Sequence, residues 1–370
     1  MIRQLKQIHS KSLNFLLFLS IVLLCIGRLQ IMQQYISFIY IIQLFVGLVI
    51  FLILNQKNGK NEEYKKFLFL VLFTFILALF NAFIIGNVGL KESLCTFLFF
   101  SNISAVLVFV KLNHFVFKTS FWCVVVIFTI LYFNTQSLDD ILVNSRNYIS
   151  YYLILFILPY VISYRQNNKE VGLLPLLVCV LYSFMAVGRG GIIISLLLLM
   201  GILVFKINDR SKYRKFYITL LSVIGVIVLV VGINPDTIEL LFGRFIDKSM
   251  DSEARTIGWL EYLSAMGEPI NFLLGVKIAN LPYCSIELDE SLHNSYLSLH
   301  SRMGIFALFY LYLVFRGFIR IFKNDKYIAL VISSLLVKAF VDTDFPFYYV
   351  GGDIYLYILL FIGVLSKKVY

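Results

Sequence analysis

The sequence predicts an all-α, polytopic integral membrane protein with about 12 transmembrane helices and one large extracytoplasmic loop containing short helices. Three observations predict it. First, the 370 residues are 60% hydrophobic and 14% charged, with mean hydropathy +0.87, against roughly 45–50% apolar and about 25% charged in soluble domains. Second, apolar runs near the length needed to cross about 30 Å of hydrocarbon recur along the chain. Third, basic residues collect in alternate connectors. Length alone allows two or three soluble domains, but 53 charged residues (32 Lys and Arg, 21 Asp and Glu) cannot cover that many water-facing surfaces. The expectation is a single membrane domain, residues 1–370.

The apolar runs fall at roughly 12–28, 35–54, 67–86, 93–110, 120–133, 148–164, 170–187, 191–205, 216–233, 296–315, 327–341 and 350–365. The first follows a basic segment, as a signal peptide does. No small-residue cleavage site comes after it, so it reads as an uncleaved first helix. The boundary inside 170–205 rests on Gly188-Arg189-Gly190-Gly191 alone. Residues 234–295 form a 62-residue segment between the ninth and tenth runs; a connector of that size is usually functional or disordered. Its content of Trp259, Leu260, Tyr262, Leu263 and Phe272 argues for structure. Asp251-Ser252 offers an N-cap for a helix reaching Met266, where Gly267 and Pro269 stop it.

With the N-terminus inside, the inner side carries 22 Lys and Arg and the outer side nine, counting residues at the ends of runs, with Lys338 set apart inside a run; on the same count acids divide five inside to sixteen outside. That is the positive-inside distribution, and it places both termini in the cytoplasm. The net charge of +11 is then a topology signal and not a nucleic-acid footprint. Cys25, Cys95, Cys123 and Cys179 lie in apolar runs, and Cys284 has no outside partner for an intramolecular disulfide. No His–Cys cluster, Gly-rich phosphate loop or nucleophile elbow is present.

Four features on the outer side bear on chemistry. Arg189 sits among glycines that allow backbone N–H groups to approach a ligand, although an arginine at that depth also serves to snorkel to headgroups. Arg255, Trp259, Tyr262 and Met266 share one helix face, which suits either a helix lying on the membrane surface or rings stacking on a sugar beside an anion-binding arginine. His293-Asn294 opens the tenth run, where an imidazole can take a proton near neutral pH or the pair can cap a helix. Asp342-Thr343-Asp344, one turn after Lys338, reads as a Lys338–Asp342 helical pair with a solvated loop.

Gly188-Arg189-Gly190-Gly191, a large outer loop with Arg255 and Trp259, then Leu273-Leu274-Gly275-Val276, then the segment from His293 to Gly304 resemble the O-antigen polymerase and O-antigen ligase family, which includes Wzy-type polymerases. The resemblance covers about 188–310. His293, Asn294 and Gly304 match the ligase-type pattern, whereas Ala307 and Lys277 stand where that pattern has glycine.

The resemblance implies glycosyl transfer on the outer face of the bacterial cytoplasmic membrane. The donor would be a glycan on undecaprenyl diphosphate and the acceptor a sugar hydroxyl of a second lipid-linked unit. It implies no cofactor or metal, and a chain-length regulator and a flippase as partners. Arginines suit a diphosphate leaving group, so Arg189 and Arg255 are the expected catalytic cations, with Arg244 and Arg302 in reserve. His293 is the expected base, and Asn294 would orient it or the acceptor. Glu253 is an alternative base or a partner of Arg255, and Trp259 and Tyr262 would bind sugar. An O-antigen ligase or a lipid-linked oligosaccharide flippase would share the same architecture.

Overall fold

The computed structural model describes residues 8–135, 141–142, 147–186, 189–208, 216–218, 220, 225, 249–288, 291–342, 345–347 and 351–365. Among these, strand pairing is limited to two isolated bridges, Ile8 with Val110 and Leu29 with Leu142. The rest is helix and connection. Helices α1 (Lys11–Ile26), α2 (Ile36–Asn58), α3 (Glu62–Ile84), α4 (Leu90–Phe109), α5 (His114–Thr135), α6 (Asn147–Gln166), α7 (Leu174–Met185) and α8 (Arg189–Asn208) come first. Short helices α9 (Ser249–Met266), α10 (Pro269–Leu274), α11 (Pro282–Ile286) and α12 (Ser295–Met303) follow, then α13 (Phe306–Asn324), α14 (Lys326–Val341) and α15 (Asp353–Val364).

Six helical stretches among the described residues are long and apolar enough to cross a membrane: Gln30–Asn58, Glu62–Ile84, Leu90–Phe109, His114–Thr135, Tyr148–Gln166 and Gly190–Asn208. The other apolar runs depart from the expected spans in identifiable ways. Helices α1, α7 and α15 have 16, 12 and 12 residues. At about 1.5 Å per residue they fall short of a hydrocarbon core of about 30 Å. The run expected at 296–315 is two helices, α12 and α13, broken at Gly304. The run at 216–233 lies almost wholly outside the described residues.

Burial separates the bundle into an interior and a rim. Helix α15, the second half of α4 and most of α6 are buried on every face. Helices α2 and α3 instead show Phe38, Phe45 and Leu52, and Phe69, Ile76 and Phe83, each more than half exposed. Seven residues make about two helical turns, so each set is one continuous stripe. Stripes of this size are unfavourable against water and suit hydrocarbon, where helices are apolar all round.

Inside, packing relies on small residues. Gly317 of α13 and Gly363 of α15 interlock: a Cβ on the first would strike the Leu359 carbonyl, and one on the second the Leu313 carbonyl. Close backbone approach of this kind gains dispersion contact that lipid tails do not rival. Arg320 then donates to the carbonyls of Ile362 (2.8 Å) and Gly363 (3.2 Å), which the last turn of α15 would otherwise leave open. Gly317→Leu or Gly363→Leu is therefore expected to cost at least about 2 kcal/mol, read as a lowered melting temperature of the purified protein in detergent. Phe83→Leu, on the lipid-facing stripe, is expected to leave melting unchanged.

Candidate functional site

The break at Gly304 exists because another segment occupies the space. Gly304 has φ +54°, and a Cβ there would strike the Leu273 carbonyl, which itself accepts from Ile305 N at 3.1 Å. Gly275, at φ +101°, lies as close on the other side; a Cβ would sit 2.6 Å from the Ser301 carbonyl. Leu273-Leu274-Gly275-Val276 and α12 are thus locked together backbone to backbone. Two asparagines, Asn81 in the last turn of α3 and Asn87 just beyond it, complete the clamp. Asn81 Nδ2 donates to the Ser301 carbonyl (3.1 Å), and Asn87 Nδ2 to the carbonyls of Val276 (2.6 Å) and Ser301 (2.8 Å). Asn87 Oδ1 accepts from Ile278 N at 3.1 Å. Sequence reasoning missed both; an amide in an otherwise apolar run was the available signal.

The clamp fixes the start of α12, where the chemistry collects. Asn294 Oδ1 caps the helix by accepting from the backbone N–H groups of Tyr296 (2.9 Å) and Leu297 (3.1 Å). His293, just before it, holds the left-handed conformation at φ +44°, which few non-glycine residues adopt without support. Its Nδ1 lies 3.9 Å from Asp342 Oδ1, while Lys338 Nζ donates to Asp342 Oδ2 at 2.7 Å. Ser295 donates to the Asp342 carbonyl from both its N–H (3.1 Å) and its Oγ (3.0 Å). The Lys338 side chain is 4% exposed and lies over the rings of Tyr148 (5.0 Å) and Tyr151 (5.2 Å). The Lys338–Asp342 pair expected from spacing is present, with Lys338 buried and Asp342 partly buried; Thr343 and Asp344, the rest of the expected loop, lie outside the described residues. Burial opposes the Asp342 charge, yet Lys338 and His293 together hold its carboxyl below the usual carboxylate range.

Two further elements reach this cluster. Trp259 of α9 donates from Nε1 to the Leu292 carbonyl at 2.6 Å, and its ring meets Phe340 edge-on at 5.8 Å. Gly191, in the first turn of α8, approaches Ser150 so closely that a Cβ would lie 2.8 Å from the serine Cβ. Helix α8, which Arg189 opens, therefore starts beside the turn of α6 that carries Tyr148 and Tyr151. The side chains of Arg189 and Glu253 lie outside the described residues, as does the whole of Arg244. Arg255, one turn before Trp259, is half-buried.

Tyr262 and Arg302 are both engaged in contacts inside the protein. Tyr262 is fully buried; its hydroxyl pairs with His300 Nδ1 at 2.7 Å, and His300 Nε2 pairs with the Phe272 carbonyl at 3.0 Å. Burial pushes the Tyr262 phenol up and favours the neutral His300 ring, so the tyrosine serves as a strut under α12 where a sugar-stacking ring was expected. Its neighbours confirm that α9 turns this face inward: Gly258 is buried, and Glu261 caps α11 by accepting from Tyr283 N (3.1 Å) and Cys284 N (3.0 Å). Arg302 donates to the Pro346 carbonyl and is 7% exposed. It faces Asp353, whose carboxylate accepts from Phe347 N and from Thr96 Oγ1, both at 3.1 Å. Arg302 therefore holds the connector before α15. No group of three or more His, Cys, Asp or Glu could hold a metal ion among the described residues.

No family model matches the chain, and neither does any curated protein or solved structure.

The buried ion pair has a measurable consequence. Asp342→Ala strands the Lys338 ammonium and is expected to cost on the order of 3 kcal/mol. Replacing both partners, Lys338→Met with Asp342→Leu, is expected to recover most of that in a thermal melt. Because the Asp342 carboxyl titrates lower in the folded than in the unfolded chain, its contribution is complete above the ordinary aspartate value of about 3.9. It is lost only as pH falls further. Melting of the wild type minus that of Asp342→Asn is therefore expected to shrink as pH falls below about 4.

Proposed function

We propose that this protein is a glycosyltransferase of the polysaccharide-polymerase kind. It joins oligosaccharide units carried on undecaprenyl diphosphate at the outer face of the bacterial cytoplasmic membrane, for an O-antigen, a capsule or another exopolysaccharide. The observation that supports this most is the meeting of His293, Asp342 and Lys338 beside Trp259 and the start of α8. Trp259, the His293–Gly304 segment and the first turn of α8, which belong to the segments that resemble the polymerase and ligase family, come together here.

In this reading the acceptor sugar hydroxyl loses its proton to His293 as its oxygen attacks the anomeric carbon of the donor. The new glycosidic C–O bond forms while the bond to the diphosphate breaks, and that electron pair leaves on the diphosphate oxygen. The proton stays on the imidazole, where the fixed charge of Asp342 stabilises it. Lys338 keeps Asp342 ionised and aimed, so it acts as a positioning residue. Negative charge grows on the leaving diphosphate, and Arg189 and Arg255 meet it with always-charged, bidentate donors. The donor arrives activated, so the reaction draws on no nucleotide or redox cofactor. A flippase that delivers the substrate and a regulator of chain length are the expected partners. Both termini lie in the cytoplasm.

The test is the profile of lipid-linked intermediates in cells carrying variants. Arg189→Ala and Arg255→Ala are each expected to abolish long chains and leave single repeats, with normal membrane insertion. Full-length polysaccharide from both would overturn the site. His293→Ala is expected to fall at least a hundredfold in chain extension, on the scale of a lost general base; normal chain length would remove that role. Deletion that leaves long polymer on the carrier would indicate a ligase, and units stranded on the cytoplasmic face a flippase.

A further inference from the structure

A cavity of about 900 Å³ lies far from the cluster just described, where the chain enters α1 and α5. Asn167, at its edge, follows the C-terminus of α6. The first turn of that helix carries Tyr148 and Tyr151, and its 20 residues extend for about 30 Å. The cavity and the His293 cluster are thus on opposite sides of the bundle.

Its lining divides sharply. One part is basic and polar: Lys11 and Lys111 lie in the wall with His9 and His114. Lys57 stands directly behind, donating to Ser10 Oγ at 3.2 Å, and Lys169 Nζ lies 2.6 Å from His114 Nε2. Among the described residues, no Asp or Glu contributes to the wall. The other part is Phe15, Phe18, Phe115 and Val116, of which Phe15 is 61% and Phe115 68% exposed. Phe115 and Val116 belong to the first turn of α5, and Phe15 and Phe18 follow the first turn of α1, so the basic end meets the apolar side chains near where both helices start. Soluble anions do not need the aromatic wall, and an uncharged lipid does not need the cations. An anionic amphiphile uses both.

We propose that this cavity binds an anionic glycerophospholipid of the surrounding leaflet, with its phosphate between Lys11 and Lys111 and its upper acyl carbons against Phe15 and Phe115. The site is independent of the glycosyl-transfer reading. Lysines attract lipid phosphate as point charges, and Lys57 and Lys169 raise the positive potential around the same mouth. Thr119, deeper in α5, lines the inner wall.

The test is native mass spectrometry of the detergent-purified full-length protein, titrated with phosphatidylglycerol and, separately, with phosphatidylcholine of the same chains. Wild type is expected to bind the anionic lipid at least tenfold more tightly. Lys11→Gln with Lys111→Gln is expected to remove that preference while leaving phosphatidylcholine adducts unchanged, and Lys11→Arg with Lys111→Arg to keep it. Thr119→Trp, which fills the cavity without altering charge, gives an independent route to the same loss. Equal binding of the two lipids by the wild type would overturn the proposal. So would undiminished preference in Thr119→Trp or in the glutamine pair, or displacement of the lipid by millimolar inorganic phosphate alone.

Discussion

Asp342 is the residue on which the outer end of the molecule depends. Its carboxylate takes the Lys338 ammonium at 2.7 Å and faces His293, while its carbonyl takes both donors of Ser295. One residue thereby joins the end of α14 to the start of α12. The Lys338 ammonium, 4% exposed, is the buried charge of the pair; a charge this far from water is tolerated only when paired and hydrogen-bonded, and it has the further support of two tyrosine rings. The strain at His293 and the cap at Asn294 are both consequences of holding α12 at that point. A bundle without the pair would have no reason to keep a histidine in the left-handed region.

The polar clamp and the apolar rim solve the same problem from two sides. Hydrocarbon cannot satisfy a backbone N–H or carbonyl, so a broken helix near the membrane is stable only where protein groups complete its hydrogen bonds. Around Gly304 they come from Asn81, Asn87 and the Leu273–Val276 segment. Helices α2 and α3 are unbroken and offer the lipid only side chains along their stripes. Rigidity at the clamp is what a proposed glycosyl transfer would need, because a base must stay within reach of one hydroxyl.

Much of this was legible in residue order. The stop of α9 at Met266 follows from Gly267 and Pro269, and the cap at Asn294 from its position before a helix. Apolar runs located helices correctly but overstated how many are long enough to cross, since a run such as 170–187 contains only a 12-residue helix. Gly304 was read as part of a motif, and only the collision with Leu273 shows that it ends a helix. Spacing paired Lys338 with Asp342; their burial and the approach of His293 depend on contacts across about 50 residues, which periodicity cannot express. Tyr262 and Arg302 looked like ligand groups because both are polar residues in an outer segment. Tertiary packing turns one under α12 and the other toward Asp353.

The central claim is that this chain itself forms glycosidic bonds from a lipid-diphosphate donor. The most direct measurement places the purified protein in liposomes with undecaprenyl-diphosphate-linked repeat units and no nucleotide, and follows glycan length by electrophoresis. The proposed chemistry predicts oligomers of two or more repeats and released undecaprenyl diphosphate in equal stoichiometry to the bonds formed. Unchanged single repeats, moved across the bilayer but never joined, would contradict it.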